Sequence, residues 1–289
     1  MASTARLGRL DPTHVHPGLP RTRDATAARF IEPPRVRQRP LVCPARMEWP
    51  IKRGAQGALM MSQCGQDMFL DTTFFRGARG GVYLDLGCND GRSNSNTFYF
   101  ARALKWYGKC YEADPNKFQQ IPRFSGRNDA EHGAISRTDG SAEFGIVNVA
   151  DGGLSGLADT LDAARGHEFG RIRTVTVPTV SPSTVLRRHY AQNSTIDYVS
   201  VDVEGHELEV IRAWPFRSGP CISVFTIENN HWCNLTQGIL PQLQHLMPDY
   251  RHLRSVGPDE IFVRRKRCPG SVISPSVWRQ TQPLEDVTG

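Results

Sequence analysis

The sequence predicts an α/β fold: a mostly parallel sheet with helices on both faces and one antiparallel edge. Two observations carry this. From Val82 onward, short strand-like runs alternate with helical segments, and Gly257-Pro258 separates two late runs as a hairpin turn would. In order, Val82-Tyr-Leu-Asp-Leu-Gly is a β-rich run ending in a turn. Ser93 and Asn94 offer helix N-caps, and Phe98, Ala101, Leu104 and Lys105 follow at helical spacing. Lys109-Cys-Tyr-Glu reads as a second strand, and Pro115 opens a short helix. His132-Gly-Ala-Ile and Ala142–Val149 read as two more strands. Ile196–Val201 is a buried strand with a helix, His206–Ala213, behind it. Cys221–Glu228 is another buried strand, Gly238–Met247 a helix, and Tyr250–Leu253 with Glu260–Arg264 the closing hairpin. Asp151–Ser194, with Gly152-Gly-Leu-Ser-Gly156 and Arg165-Gly-His-Glu-Phe, has no strong period and reads as a surface connection or a lid.

Three regions follow. Residues 1–55 are rich in Arg and Pro and poor in large apolar side chains, which reads as a disordered tail or targeting segment. The acids Asp11, Asp24, Glu32 and Glu48 weaken the targeting reading. Residues 56–267 form the folded domain, and 268–289, with Pro269, Pro275 and Pro283, a loose C-terminal tail. The net charge of +6 belongs to the first region: residues 1–60 hold 11 basic and 4 acidic side chains, the remainder 24 and 25. The body therefore carries no basic field, which argues against a nucleic-acid substrate for the core. No run approaches the roughly 20 apolar residues of a membrane span, so a soluble chain is expected, cytoplasmic or organellar. The seven cysteines (43, 64, 88, 110, 221, 233, 268) form no Cys-x-x-Cys pair and are read as reduced thiols. Asn193-Ser-Thr and Asn234-Leu-Thr match the glycosylation pattern; with no secretory signal ahead of them they are read as chance matches.

The chemistry concentrates in three segments. Asp85-Leu-Gly-Cys-Asn-Asp-Gly91 lies between a strand and a helix, where open α/β sheets bind ligands. It lacks the full Gly-x-Gly-x-x-Gly pattern of pyrophosphate loops, and an acid at 85 suits a cationic sulfonium better than a pyrophosphate. Glu112 ends the second strand, where an acid can accept both hydroxyls of a ribose. Asp202-Val-Glu-Gly-His206 follows the buried strand Ile196–Val201, with Asp202 and Glu204 on one side by period two. Crowded acids are costly unless a proton or cation resides among them, whereas Glu207 suits a helix start on electrostatic grounds alone.

Together with Gln63/Gln66/Asp67 and Asp139-Gly-Ser-Ala-Glu-Phe, these segments resemble the FkbM-type S-adenosylmethionine-dependent methyltransferases over about 200 residues. Val201-Asp-Val-Glu-Gly-His-Glu is the most diagnostic element; Cys88 departs from the small residue expected there. The resemblance implies a Rossmann-like class I methyltransferase fold, with a seven-stranded sheet and a reversed last strand. It places S-adenosylmethionine against Asp85, Gly87, Asn89 and Glu112, with Ala134 and Ile135 flanking the adenine. Asp202, Glu204 and His206 face the methyl group and acceptor, with Asp202 or His206 as base and Glu204 orienting. The acceptor is a hydroxyl on a small-molecule, glycan or lipid-like compound, and no metal is assigned, a divalent ion at the acids being the rival. Two other readings stand beside this one: a nicotinamide-dependent oxidoreductase, and a non-enzymatic nucleotide-binding or scaffold domain with a basic tail.

Overall fold

The computed structural model describes residues 60–147, 155–161, 172–230 and 238–282. The expectations for the tail 1–55, for Arg165–Phe169, for Cys43 and Cys233 and for Asn234-Leu-Thr lie outside them.

Seven strands form the main sheet. They are β1 (Val82–Leu86), β2 (Tyr107–Glu112), β3 (Ala130–His132), β8 (Thr195–Val201), β9 (Cys221–Glu228), β10 (Tyr250–Val256) and β11 (Asp259–Arg264), in the order β10-β11-β9-β8-β1-β2-β3. All neighbours are parallel except β11, which runs antiparallel to both β9 and β10. From β1 the chain winds outward through β2 and β3, then returns to the other side at β8. The carboxyl ends of β1 and β8 therefore flank a switch point, where a crevice opens for ligands.

Period two along these strands builds two cores. Leu84, Leu86, Val199, Val201 and Phe225 face one side. There they pack on Val185 and Leu186 of α4 (Pro182–His189), Val210 and Ile211 of α5 (Glu207–Arg212) and Leu243 of α6 (Leu240–Leu246). Tyr83, Tyr198 and Val224 face the other side. They meet α1 (Gln66–Leu70), the π-helical turn Asp71–Phe75, α2 (Phe98–Arg102) and α7 (Pro275–Gln280). Helix α3 (Pro115–Ser125) starts where expected: Asp114 accepts from Asn116 N and Pro115 occupies the first turn. The Gln63/Gln66/Asp67 element is structural in part. The Asp67 carboxylate accepts from Ser62 N and Ser62 Oγ, tying the preceding segment to α1, and Gln66 hydrogen-bonds Cys64 N and the Asp259 carboxylate.

Three findings correct the sequence reading. First, not every strand joins one sheet. β4 (Ala134–Ile135), β5 (Gly140–Val147), β6 (Gly156–Leu157) and β7 (Ile172–Val180) form a second sheet of order β4-β7-β5-β6, largely antiparallel, with its own small core around Phe144, Leu157 and Val177. Strand β7 and helix α4 fall in the stretch that shows no period. Second, the segment after Arg267 is packed as far as Gln282. Ile273 and Val277 are buried, and the prolines that read as loop signals include the first-turn residue of α7, capped by Ser274.

Third, Cys221 and Cys268 are joined by a disulfide. Packing as small apolar residues describes Cys88 and Cys110, both buried thiols, but not this pair. The 47 residues between them hide the pairing from sequence; the segment 268–273 is brought to the start of β9 by polar contacts. The Asp197 carboxylate accepts from Ser271 Oγ, Val272 N and Val82 N, and Thr195 Oγ1 donates to Pro269 O. Closing a loop of this length contributes up to about 4 kcal/mol through the unfolded chain. Reduction is expected to lower Tm by roughly 8–16 °C, at about 2–4 °C per kcal/mol for a domain of this size. Calorimetry with and without reductant checks this; an unchanged Tm removes the bridge from the account.

Candidate functional site

A cavity of about 290 Å³ opens at the carboxyl ends of β1, β2, β8 and β9. The second sheet roofs it. Phe144 of β5, Ser155 just before β6, Leu157 of β6, and Ala134 and Ile135 of β4 line one side. Gly87, Asn89, Glu112, Asp114, Asp202, Glu204, Glu228 and Asn230 line the other. The roof touches the floor at Gly156, where a Cβ would lie 2.8 Å from Glu204 O.

The floor is built by close backbone approach. After β1 the chain turns at Gly87, with φ +92°, and Asp202 N donates to Leu86 O at 2.9 Å. A Cβ on Gly87 would sit 1.6 Å from Asp202 O. Gly87 is therefore required first by the neighbouring turn, and it also lines the cavity. Asn89, at φ +53°, donates its backbone N–H to Glu112 Oε2 at 2.7 Å, and Asp114 N donates to Oε1 at 2.8 Å. Glu112 is thus fixed with both oxygens retaining acceptor capacity at the cavity wall. Burial outweighs these hydrogen bonds and pushes its carboxyl up to about 8.

At the far end four carboxylates converge. Asn230 Nδ2 donates to Glu228 Oε2 at 2.6 Å and to Glu204 Oε2 at 3.3 Å, clipping the two together. Oxygens of Asp202 and Glu228 approach closely enough for each to disfavour ionisation of the other. Burial, followed by repulsion from the neighbouring acids, holds both well above the usual carboxylate range. Oxygens of Asp202, Glu207 and Glu228 lie within 4.8 Å of one another. Glu207, however, is occupied with the turn: its carboxylate accepts from Val203 N and Gly205 N, closing the loop into α5.

The structure brings together Gly87, Asn89, Glu112, Ala134, Ile135, Asp202 and Glu204. Asp85 and His206 are not in the cavity wall. Asp85 shares the face of Tyr83, not that of Leu84 and Leu86, so its carboxylate points beneath α2. There it accepts from Thr97 Oγ1 at 2.5 Å and pairs with buried Arg127 at 3.6 Å. Its acid braces the turn through these two contacts. His206 is buried on the far side of the turn, with Nε2 3.3 Å from Ser136 Oγ, and desolvation holds the imidazole below its usual range. Its Nδ1 is buried without a hydrogen-bond partner among the described residues. Asp139, from the upstream motif, anchors α4 through Ser181 N and Thr184 Oγ1.

Glu228, Asn230, Asp114, Ser155 and Leu157 are among the cavity residues to which sequence reasoning assigns no role. Glu228 had a signal: it ends a buried strand next to β8, the same position that marks Glu112 at the end of β2.

Among solved structures, the chain is similar to the methyltransferase FkbM of Methylobacillus flagellatus, at 12% identity and a TM-score of 0.38. The likeness covers 64% of this chain but only 43% of that one. It is also similar to a TehB-like SAM-dependent methyltransferase of Corynebacterium glutamicum, at 10% identity and a TM-score of 0.34, over 73% of this chain and 91% of that one. No curated protein sequence matches. Among the described residues no helix is long and apolar enough to cross a membrane. The profile of the methyltransferase FkbM domain matches residues 85–254, from β1 into β10. That span exceeds half of the sequence and contains every cavity residue contributed by β1, β2, β8 and β9, and on it the chain belongs to the FkbM methyltransferase domain family.

Proposed function

We propose that the chain transfers a methyl group from S-adenosylmethionine to a hydroxyl oxygen of a small-molecule, sugar or lipid-like acceptor. The observation that carries this reading is Glu112, a buried carboxylate held by two backbone N–H groups at the end of β2, beside an apolar slot of Ala134, Ile135, Phe144 and Leu157. A diol acceptor next to a flat apolar slot fits an adenosyl group. Asn89 Oδ1, buried and without a hydrogen-bond partner among the described residues, adds an acceptor for a ligand donor.

The cofactor, when bound, supplies a methyl group on a cationic sulfonium, an electrophile that needs no further activation. What this chain's residues add is position, charge and a proton sink. Glu112 and Asn89 would hold the adenosyl end of the cofactor in the cavity that the acids ending β8 and β9 also line, and holding reactants together in this way lowers the entropic cost of transfer. Asp202 accepts the acceptor's hydroxyl proton, with the positive end of the cofactor favouring its ionised form. Glu204, tied to Glu228 through Asn230, orients the acceptor. In this reading protons offset the crowding of Asp202 and Glu228 while Glu207 braces the turn, and sensitivity to chelator tests a divalent cation in their place.

The test is incubation of the full chain with methyl-labelled cofactor and cell-extract fractions, read by mass spectrometry. Label in an ether-type product that survives excess chelator is expected. Label on nitrogen or carbon refutes oxygen transfer, and loss of all transfer with chelator replaces the proton by a metal.

A further inference from the structure

We propose that Asn193 is an N-linked glycosylation site on a chain that matures in an oxidising compartment. Asn193-Ser-Thr is a three-residue match and carries nothing alone. Two structural observations change its weight. The first is the Cys221–Cys268 disulfide; such bonds form and persist in oxidising compartments, where N-glycosylation also takes place. The second is the placement of the acceptor. Asn193 lies in the exposed turn between α4 and β8, flanked by exposed Ala191 and Gln192, and its side chain makes no hydrogen bond among the described residues. The turn is held by backbone and by Ser194, which bonds to Ala191 O, so nothing in the fold depends on the Asn193 amide.

The site is also at the right end of the molecule. β8 runs from Thr195 to Val201 before reaching Asp202, which puts the turn roughly 20 Å from the cavity at about 3.3 Å per residue. A glycan there leaves the cavity open. The same corner fixes the order of events. Thr195, the hydroxyl residue of the motif, donates to Pro269 O, next to bridged Cys268, and Cys221 N donates to Ser194 O. Once residues 268–271 dock, the threonine hydroxyl is committed to the fold. Modification therefore precedes closure of the bridge, which chain order allows because Asn193 is made before Cys268. In the transfer step the Asn193 amide nitrogen bonds to the anomeric carbon of a lipid-linked oligosaccharide pyrophosphate. The carbon–oxygen bond to the lipid pyrophosphate breaks, the pyrophosphate leaves with the bonding electrons, and the amide proton goes to the transferase's base.

The test expresses the full chain in one eukaryotic host in two forms, as it stands in the cytosol and behind a cleavable secretory leader, each with an Asn193→Gln counterpart. Peptide N-glycosidase digestion in heavy-oxygen water, read peptide by peptide, reports occupancy, and alkylation reports the thiols. In the leader form, we expect glycan at Asn193, bridged Cys221 and Cys268, and a Tm matching that of Asn193→Gln. The cytosolic form is expected bare, with both thiols alkylated and a lower Tm. A folded leader form with bare Asn193 overturns the site. A glycosylated form that aggregates while Asn193→Gln folds overturns its accommodation. A cytosolic form with reduced Cys221 and Cys268 and an equal Tm overturns the oxidising compartment.

Discussion

Gly87→Ala is expected to destabilise the fold by more than about 4 kcal/mol, enough to lower Tm by roughly 8–16 °C or to prevent folding. The new Cβ would sit 1.6 Å from Asp202 O, less than half an ordinary contact distance, and the residue would keep a φ of +92° that side chains disfavour. Relief requires the β8 turn to move away, which breaks the Asp202 N to Leu86 O hydrogen bond and opens the cavity floor. Gly80→Ala separates the two causes. It also has positive φ, at +71°, but faces open space, so it should cost only about 1–2 kcal/mol. Urea titration of both variants checks the pair. Equal losses would mean that backbone conformation, not the approach of two strand ends, decides the role of Gly87.

Asp202→Asn is expected to lower kcat by about 10²–10⁴, the range for loss of a positioned base, while leaving stability unchanged or raised. The second half is the sharper statement. Burial and mutual repulsion raise both Asp202 and Glu228 in a cluster where Glu204 and Glu207 repel further charge. A neutral amide keeps the shape, can still hydrogen-bond Glu228, and removes part of that repulsion. A variant that melts no lower than wild type and binds S-adenosylhomocysteine normally, yet fails to turn over, separates function from folding. A variant with wild-type kcat eliminates Asp202 as the base. His206→Ala, by contrast, should lose stability through a buried void without a change in the pH dependence of kcat.

Much of the arrangement was legible because strand ends announce themselves. A buried run followed by an acid marked Glu112 and Asp202, whereas Glu204 reaches the same cavity through a turn with φ +57° rather than by strand alternation. Asp85 shows where that logic must be carried further: the same alternation, applied to Tyr83 and Asp85, places the carboxylate on the α2 face with Arg127. Nothing in the linear sequence announces that Arg127 would arrive there. Strand β7 was hidden for another reason. Ile172–Val180 is rich in Thr and includes Pro178, and its exposed Arg173, Thr176 and Pro178 dilute the apolar alternation of a half-wetted sheet. The Cys221–Cys268 bridge depends on polar docking of Ser271 and Val272 onto Asp197, a long-range event with no local signature.

The central claim is that Glu112 receives the hydroxyls of an adenosyl group, and titration calorimetry with S-adenosylhomocysteine tests it most directly. Because burial holds the carboxyl near 8, ionisation and hence hydroxyl acceptance increase as pH rises through that value. The sign for folding is opposite: the raised carboxyl stabilises the ligand-free protein below the unfolded carboxyl's usual 4.5, and this contribution is lost as pH rises through about 8. Affinity for S-adenosylhomocysteine should therefore strengthen between pH 7 and 9 in wild type. Glu112→Gln should bind more weakly with a flat pH profile. Tight, pH-independent binding unaffected by Glu112→Gln, or binding of NAD in place of S-adenosylhomocysteine, would contradict the account.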